Sequence, residues 1–285
     1  MPSKDSVLVL NKILATPGFR ERSWDAYMIE SSDRFILETK NLSKKFGGIS
    51  AIDDLTLNFC GGELRCIIGP NGAGKSTLFN LITGHIRPSS GLVIFNGINI
   101  TNKAPNRICR LGIGRKFQVP TVFPTLTVTE NLMLALQGKR NVLGFFFNSY
   151  SADLLEIEKV LLDIGLMTKR SLTADTLSHG ERQWLEIGMV LVNKPMLILL
   201  DEPTAGMSPE ETLGTARLIR KVSQNVTIVV IEHDLKFIRE IGQHVTVLHR
   251  GRKLAEGSME EIIKNDDVKR VYLGRETDPA DLLCS

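Results

Sequence analysis

The chain lacks an apolar run approaching the ~18 residues that a helix needs to cross a bilayer. Val7-Leu8-Val9-Leu10 is short and follows Asp5, so the N-terminus does not read as a secretory signal. Such a chain is expected to meet a membrane only through a partner. Cysteines are few: Cys60, Cys66, Cys109 and Cys284. None forms a C-x-x-C pair, and no Cys–His cluster has zinc spacing, which excludes a disulfide scaffold and a zinc knuckle. They read as reduced thiols of a cytoplasmic protein. Excess charge is also missing. With 35 basic and 32 acidic residues the net charge is +3, and the basic residues are scattered, which speaks against nucleic acid as a partner. There is no internal repeat and no low-complexity tract. What remains is an ordinary globular composition, 42% hydrophobic and 24% charged over 285 residues, enough for a sizeable core in one or two domains.

Against that background, residues 69–77 stand out: Gly69, Pro70, Asn71, Gly72, Ala73, Gly74, Lys75, Ser76 and Thr77. They fit G-x-x-x-x-G-K-[ST]. A loop that wraps a triphosphate this closely needs glycines, because side chains would stand in the way. Its backbone N–H groups point at phosphate, and the following helix adds its positive end. Lys75 is placed to reach the β- and γ-phosphates and the Ser76 hydroxyl to hold Mg²⁺. The flanks agree: residues 64–68 read as a buried strand and 76–83 as a helix start.

The domain opens with a strand at 35–39. Residues 52–59 alternate apolar and polar like a half-buried antiparallel strand, with one slip at 53–54. Turns at 61–62 and 88–91 frame the phosphate loop, with strands at 92–95 and 98–100. Residues 113–118 form a strand ending in Gln118. Positions 119–192 are mostly helical, with runs at 128–136, 153–162 and 180–191, and Thr127 or Thr129 capping the first. They read as an inserted helical subdomain. Strands return at 196–200 and 227–231 around a helix at 209–222, the arrangement of a parallel sheet with crossovers. A hairpin around Arg250-Gly251 and two short helices, 258–264 and 267–273, close the domain. Residues 1–34 are an N-terminal extension, read either as a loose tail or as a docking segment, and 275–285 are a polar C-terminal tail. Phe145-Phe146-Phe147 reads equally as an interaction surface or as buried packing.

The apolar run 196–200 delivers Asp201-Glu202-Pro203 at a strand end, where an α/β sheet binds phosphate. Asp201 is the natural Mg²⁺ partner of Ser76, directly or through water, and Glu202 is placed to act as general base on water. His233 ends a third strand and is expected to hold phosphate or water beside Glu202.

A phosphate loop and a strand-end acid indicate a nucleotide hydrolase and no more. The stretch Leu177-Ser178-His179-Gly180-Glu181-Arg182-Gln183 resembles the signature of ABC-type ATPases. The resemblance implies a P-loop α/β core with an antiparallel β subdomain and an inserted helical subdomain, over residues 35–274. It implies ATP and Mg²⁺ as cofactors and a second ATP-binding subunit, like or unlike. The start of helix 180–191 in one copy would face the γ-phosphate held by the other. Carried over residue by residue, Phe46 resembles the adenine-stacking aromatic, Gln118 the Mg²⁺-sensing glutamine, Ser178, His179, Gly180 and Glu181 the signature contacts, and residues 205–208 the loop that crosses the dimer interface. Phe46 also has a plain packing role open to it.

Two positions depart from the pattern: His179 stands for a glycine and Glu181 for a glutamine. The histidine either bonds phosphate or weakens docking. Within the group the chain resembles the branched-chain amino acid and urea importers, and in residues 64–68 with 69–77, 112–118, 177–189, 245–249 and 271–274 the urea importers in particular. That implies urea uptake, with branched-chain amino acid uptake as the alternative. It also implies two membrane permease subunits, an external substrate-binding protein, and a place on the cytoplasmic face of the membrane. The rival of another class is a soluble ABC ATPase acting on nucleic acid or ribosomes; one cassette, no heptad run and little net charge speak against it.

Overall fold

The computed structural model describes residues 35–116, 122–137 and 150–273. The extension 1–34, the tail 275–285, Gln118 and Phe145–Phe147 lie outside the described residues. Four strands, β1 (Phe35–Phe46), β2 (Ile49–Cys60), β4 (Ser90–Phe95) and β5 (Ile98–Asn99), form an antiparallel sheet in the order β2-β1-β4-β5. The slip at 53–54 is a bulge. Leu42 pairs with Leu55 but Lys44 with Ile52, so Asp53 and Asp54 together oppose Ser43, and Asp54 takes φ +53°.

A second sheet has the order β10-β9-β3-β8-β7-β6. Its members are β3 (Leu64–Ile68), β6 (Ile113–Lys116), β7 (Leu197–Asp201), β8 (Thr227–Ile231), β9 (His244–His249) and β10 (Arg252–Gly257). Only the β9–β10 hairpin is antiparallel. Its turn residues Arg250 and Gly251 both have positive φ, which matches the twist of a two-residue hairpin. Strands β3, β7 and β8 are buried throughout, and successive side chains enter different cores. Ile67, Leu197, Leu199, Val229 and Ile231 join the core shared with the antiparallel sheet and α1 (Lys75–Ile82). Cys66, Ile68, Ile198, Leu200, Ile228 and Val230 join the core on the other face, with the helical region. At about 1.5–3 kcal/mol for each fully buried aliphatic side chain, these strands anchor both layers.

Between β6 and β7 lie α3 (Val128–Gln137), α4 (Tyr150–Asp163) and α5 (His179–Leu191). Thr127 caps α3: its Oγ1 accepts from Glu130 N at 3.2 Å, while Glu130 accepts from Thr127 N at 2.7 Å. Thr129 instead donates to the Arg170 carbonyl. Helix α6 (Pro209–Ser223) crosses from β7 to β8. Helices α8 (Met259–Lys264) and α9 (Asp266–Leu273) close the fold. Two helices were not expected. Helix α2 (Pro105–Leu111) opens on its proline and ends at left-handed Gly112, and α7 (Leu235–Ile241) is capped by the Asp234 carboxylate.

Candidate functional site

The parallel register brings three strand ends to one level. Ile67 of β3 and Asp201 of β7 both pair with Ile231 of β8. The residues that follow each strand, the phosphate loop from Gly69, Glu202 and His233, therefore emerge together at the carboxyl edge of the sheet.

The loop's shape is enforced by close approach. A Cβ at Gly69, where φ is +154°, would lie 2.2 Å from the Leu248 carbonyl oxygen, and one at Gly74, where φ is +103°, would lie 2.5 Å from that of Ala51. The hairpin turn braces the loop as Gly251 N donates to Ala73 O at 2.9 Å. Gly74 opens α1 with no side-chain cap and no acid in the first turn. The openings of α5, α6 and α8 are each closed by a Ser–Glu capping box. The positive end of α1 therefore stays open to an outside anion. Lys75 donates to the carbonyls of Gly69 (2.6 Å) and Pro70 (3.1 Å). Burial lowers its pKa, while the nearby carboxylates of Glu202 and Asp201 pull it back up. Asn71, Gly72 and Ser76 are exposed, Pro70 and Thr77 half-buried, and Ala73 buried.

Asp201 is almost sealed, and burial raises its pKa against the pull of Arg115. Arg115 holds Oδ2 at 3.2 Å, but Oδ1 is buried with no hydrogen-bond partner. An orphaned carboxylate oxygen at this strand end fits a Mg²⁺ ion or its water. Among the described residues no group of three or more His, Cys, Asp or Glu could hold a metal ion. Glu202 sits at φ +48°, a left-handed position that costs roughly 1–2 kcal/mol for a residue with a Cβ, and such strain collects at functional sites. His233 Nδ1 lies 3.7 Å from Glu202 Oε1, and its ring is two-thirds exposed.

Sequence reasoning passed over the group that sets Glu202. Glu232 is buried; its Oε1 accepts from the Thr204 backbone N–H and hydroxyl, and its Oε2 from His233 N–H. It clamps the turn after Glu202 to the strand that carries His233. In the sequence it is only an acid directly after the apolar run Thr227–Ile231, with nothing to mark its partners. Arg115 was likewise missed. Phe46 is half-exposed at the end of β1, with the Lys44 ammonium 4.9 Å from its ring centre.

The signature residues bond elsewhere. Ser178 Oγ donates to Glu211 Oε1 at 2.8 Å, and Gly180 N–H to the same oxygen at 2.9 Å. The two departures from the family pattern have structural work. The His179 ring pairs through Nε2 with the Ala205 carbonyl at 3.0 Å, and Glu181 caps α5 while bonding Lys169.

A family described as ABC transporter matches residues 52–205, more than half of the chain. This protein belongs to the ABC transporter family. A second profile, branched-chain amino acid ATP-binding cassette transporter, matches residues 252–278 of the cassette. The cassette is 36% identical over 251 residues to the high-affinity branched-chain amino acid transport ATP-binding protein BraF of Pseudomonas aeruginosa, covering 85% of this chain and 98% of that one. It superposes with a TM-score of 0.75 on a crystal structure of a nucleotide-free ATP-binding cassette from an ABC transporter (32% identity, 85% of this chain, 100% of that one). A dimeric cassette in a post-hydrolysis state bound to ADP and Pi, 29% identical, matches at 0.67 over 78% of this chain and 98% of its own. The cassette is thus an ATP-binding ATPase subunit coupled to transport, with the expected fold of two sheets and an inserted helical part. Among its described residues no helix is long and apolar enough to cross a membrane.

Proposed function

We propose that this cassette energises uptake of branched-chain amino acids by an ABC importer, docked on two permease subunits at the cytoplasmic face of the membrane and fed by an external binding protein. The observation that carries the substrate class is the branched-chain profile over residues 252–278, together with the BraF likeness over most of the chain. Urea, the first expectation from the motifs, has no comparable support and gives way to the alternative.

The mechanism rests on this chain's own groups. The loop N–H groups and the open end of α1 bind the triphosphate, and Lys75 exchanges its carbonyl partners for phosphate oxygens. Ser76 and Asp201, with Gln118, would hold Mg²⁺, which when bound supplies charge neutralisation on the phosphates. Glu202 takes the proton of the attacking water on its carboxylate, and His233 holds that water or the γ-phosphate in line. Ser178 and Gly180 would complete the site of a second ATP-binding subunit, like or unlike; the ADP-bound dimer among the similar structures supports this arrangement. The test is uptake of labelled leucine, isoleucine, valine and urea by cells in which this chain alone is deleted. Loss of branched-chain uptake with urea uptake intact is expected. The reverse pattern overturns the substrate reading.

A further inference from the structure

The donors assigned to a neighbour's phosphate are already in use. Ser178 has one hydroxyl hydrogen and Gly180 one amide hydrogen, and both are directed at Oε1 of Glu211. The second carboxylate oxygen accepts from Ser208 N–H at 3.0 Å, while Glu211 N–H donates to Ser208 Oγ at 3.3 Å. One carboxylate therefore lies against the N-termini of two helices, α5 and α6. Each end carries partial positive charge. The fit is close: a Cβ at position 180 would come within 2.7 Å of Oε1 and of Cδ of Glu211. Glycine at 180 is what admits the carboxylate. These three contacts, that with Ser208 first, hold the Glu211 pKa down to about 2.

We propose that the Glu211 carboxylate is the resident anion of the Ser178–Gly180 site, occupying in the separated subunit the donors that a neighbour's γ-phosphate must take, so that closure of two cassettes requires its withdrawal. The inference rests on the two-subunit reading above and adds its threshold. A phosphate oxygen and a carboxylate oxygen cannot share these two hydrogens at full strength, and two anions at one helix end repel. Withdrawal costs two charge-assisted bonds but leaves Ser208 as an anchor, so the carboxylate can swing without unwinding α6. The competition holds the open state when no nucleotide is presented from across the interface. It also links the 205–208 loop to the signature: His179 on the Ala205 carbonyl and Glu211 on Ser208 tie both ends of that loop to the opening of α5.

The test uses the full chain with Glu202→Gln, so that ATP persists, and reads self-association in MgATP by sedimentation. Glu211→Gln and Glu211→Ala are each added to it, and Ser178→Ala serves as the site control. Melting curves confirm that each variant is folded. If Glu211 competes with phosphate, both Glu211 variants associate at roughly five- to thirtyfold lower protein concentration, since part of the gain from freeing the donors is offset by their return to water. Equal or weaker association by both, with Ser178→Ala impaired, overturns the inference and leaves the two-subunit reading standing. Association undiminished by Ser178→Ala, or absent throughout the series, removes the signature site from nucleotide binding, and the inference with it.

Discussion

The Arg115 guanidinium lies 3.2 Å from Asp201 Oδ2, with 8% of one side chain and 1% of the other exposed. The same guanidinium reaches Asn80 Oδ1 at 2.7 Å and Thr83 Oγ1 at 3.2 Å, both in or next to α1, and lies 5.7 Å from the Phe79 ring centre. One cation thereby joins β6, α1 and β7 behind the phosphate loop. It fixes which oxygen of Asp201 is spent and which is left over, since Oδ1 has no partner. In the proposed mechanism the carboxylate that would hold Mg²⁺ is thus oriented by Arg115.

Arg115→Met should therefore cost more than packing. It leaves a buried carboxylate without its counter-charge, a loss of about 3–5 kcal/mol. Urea unfolding should show that drop, and the Mg²⁺ concentration giving half-maximal ATP hydrolysis should rise as Asp201 loses its orientation. Arg115→Lys restores charge but not the fork that reaches three partners, so it should recover only part of the stability. Unchanged stability in Arg115→Met would show that the pair contributes nothing.

Glu202→Gln should leave ATP binding nearly intact and slow hydrolysis by roughly 10²–10⁴, the usual weight of a positioned general base. Nucleotide binding and single-turnover hydrolysis measured on the same preparation separate the two effects. A Glu202→Gln chain that hydrolyses like the parent would take the base role from Glu202.

Which parts of this site could be read in advance follows from how locally each is encoded. The phosphate loop announces itself because its glycines answer a backbone demand at fixed spacing, and β3, β7 and β8 because burial on both faces leaves continuous apolar runs. The bulge at Asp54 was visible as a slip in alternation. Helix α2 was not legible, since only Ile108 of its residues is buried and no apolar stripe marks it. Helix α7 is short and its cue is a single capping aspartate. Arg115, Glu211 and Glu232 were illegible for another reason: each acts through a partner distant in sequence, and a lone charged residue reads as solvated surface until the fold places Asp201, Ser178 or Thr204 beside it. Departures from the signature were visible as residues, but their role depended on Ala205 and Lys169.

The cysteines give a check on the core. Cys66 is buried in β3, and burial, with the Glu232 carboxylate adding to it, pushes its thiol up to about 12; Cys60 and Cys109 are exposed. Because the thiolate is the reactive form, a shift from 9.0 to about 12 means roughly a thousandfold less of it at neutral pH, before any steric protection. Pulsed alkylation followed by mass spectrometry should label Cys109 and Cys60 in the native chain and reach Cys66 only on unfolding. Equal labelling of Cys66 would mean that β3 opens to solvent in the native state.

Glu211 should leave its mark on acid stability. Its folded pKa of about 2 lies below the ordinary 4.5, first through the Ser208 N–H, then through the Ser178 hydroxyl and the Gly180 N–H. A depressed carboxylate stabilises the fold above its unfolded pKa, and that contribution is lost as pH falls toward the folded one. At neutral pH the parent should therefore melt above Glu211→Gln. The gap should narrow below pH 4.5 and close near 2. A gap independent of pH would mean that Glu211 acts by shape alone. The direction matters for function: the charge that strengthens the separate subunit is the one that must give way when two subunits close. Glu211→Gln should thus lower melting temperature and ease association in one substitution, a pairing that loss of a simple helix cap would not produce.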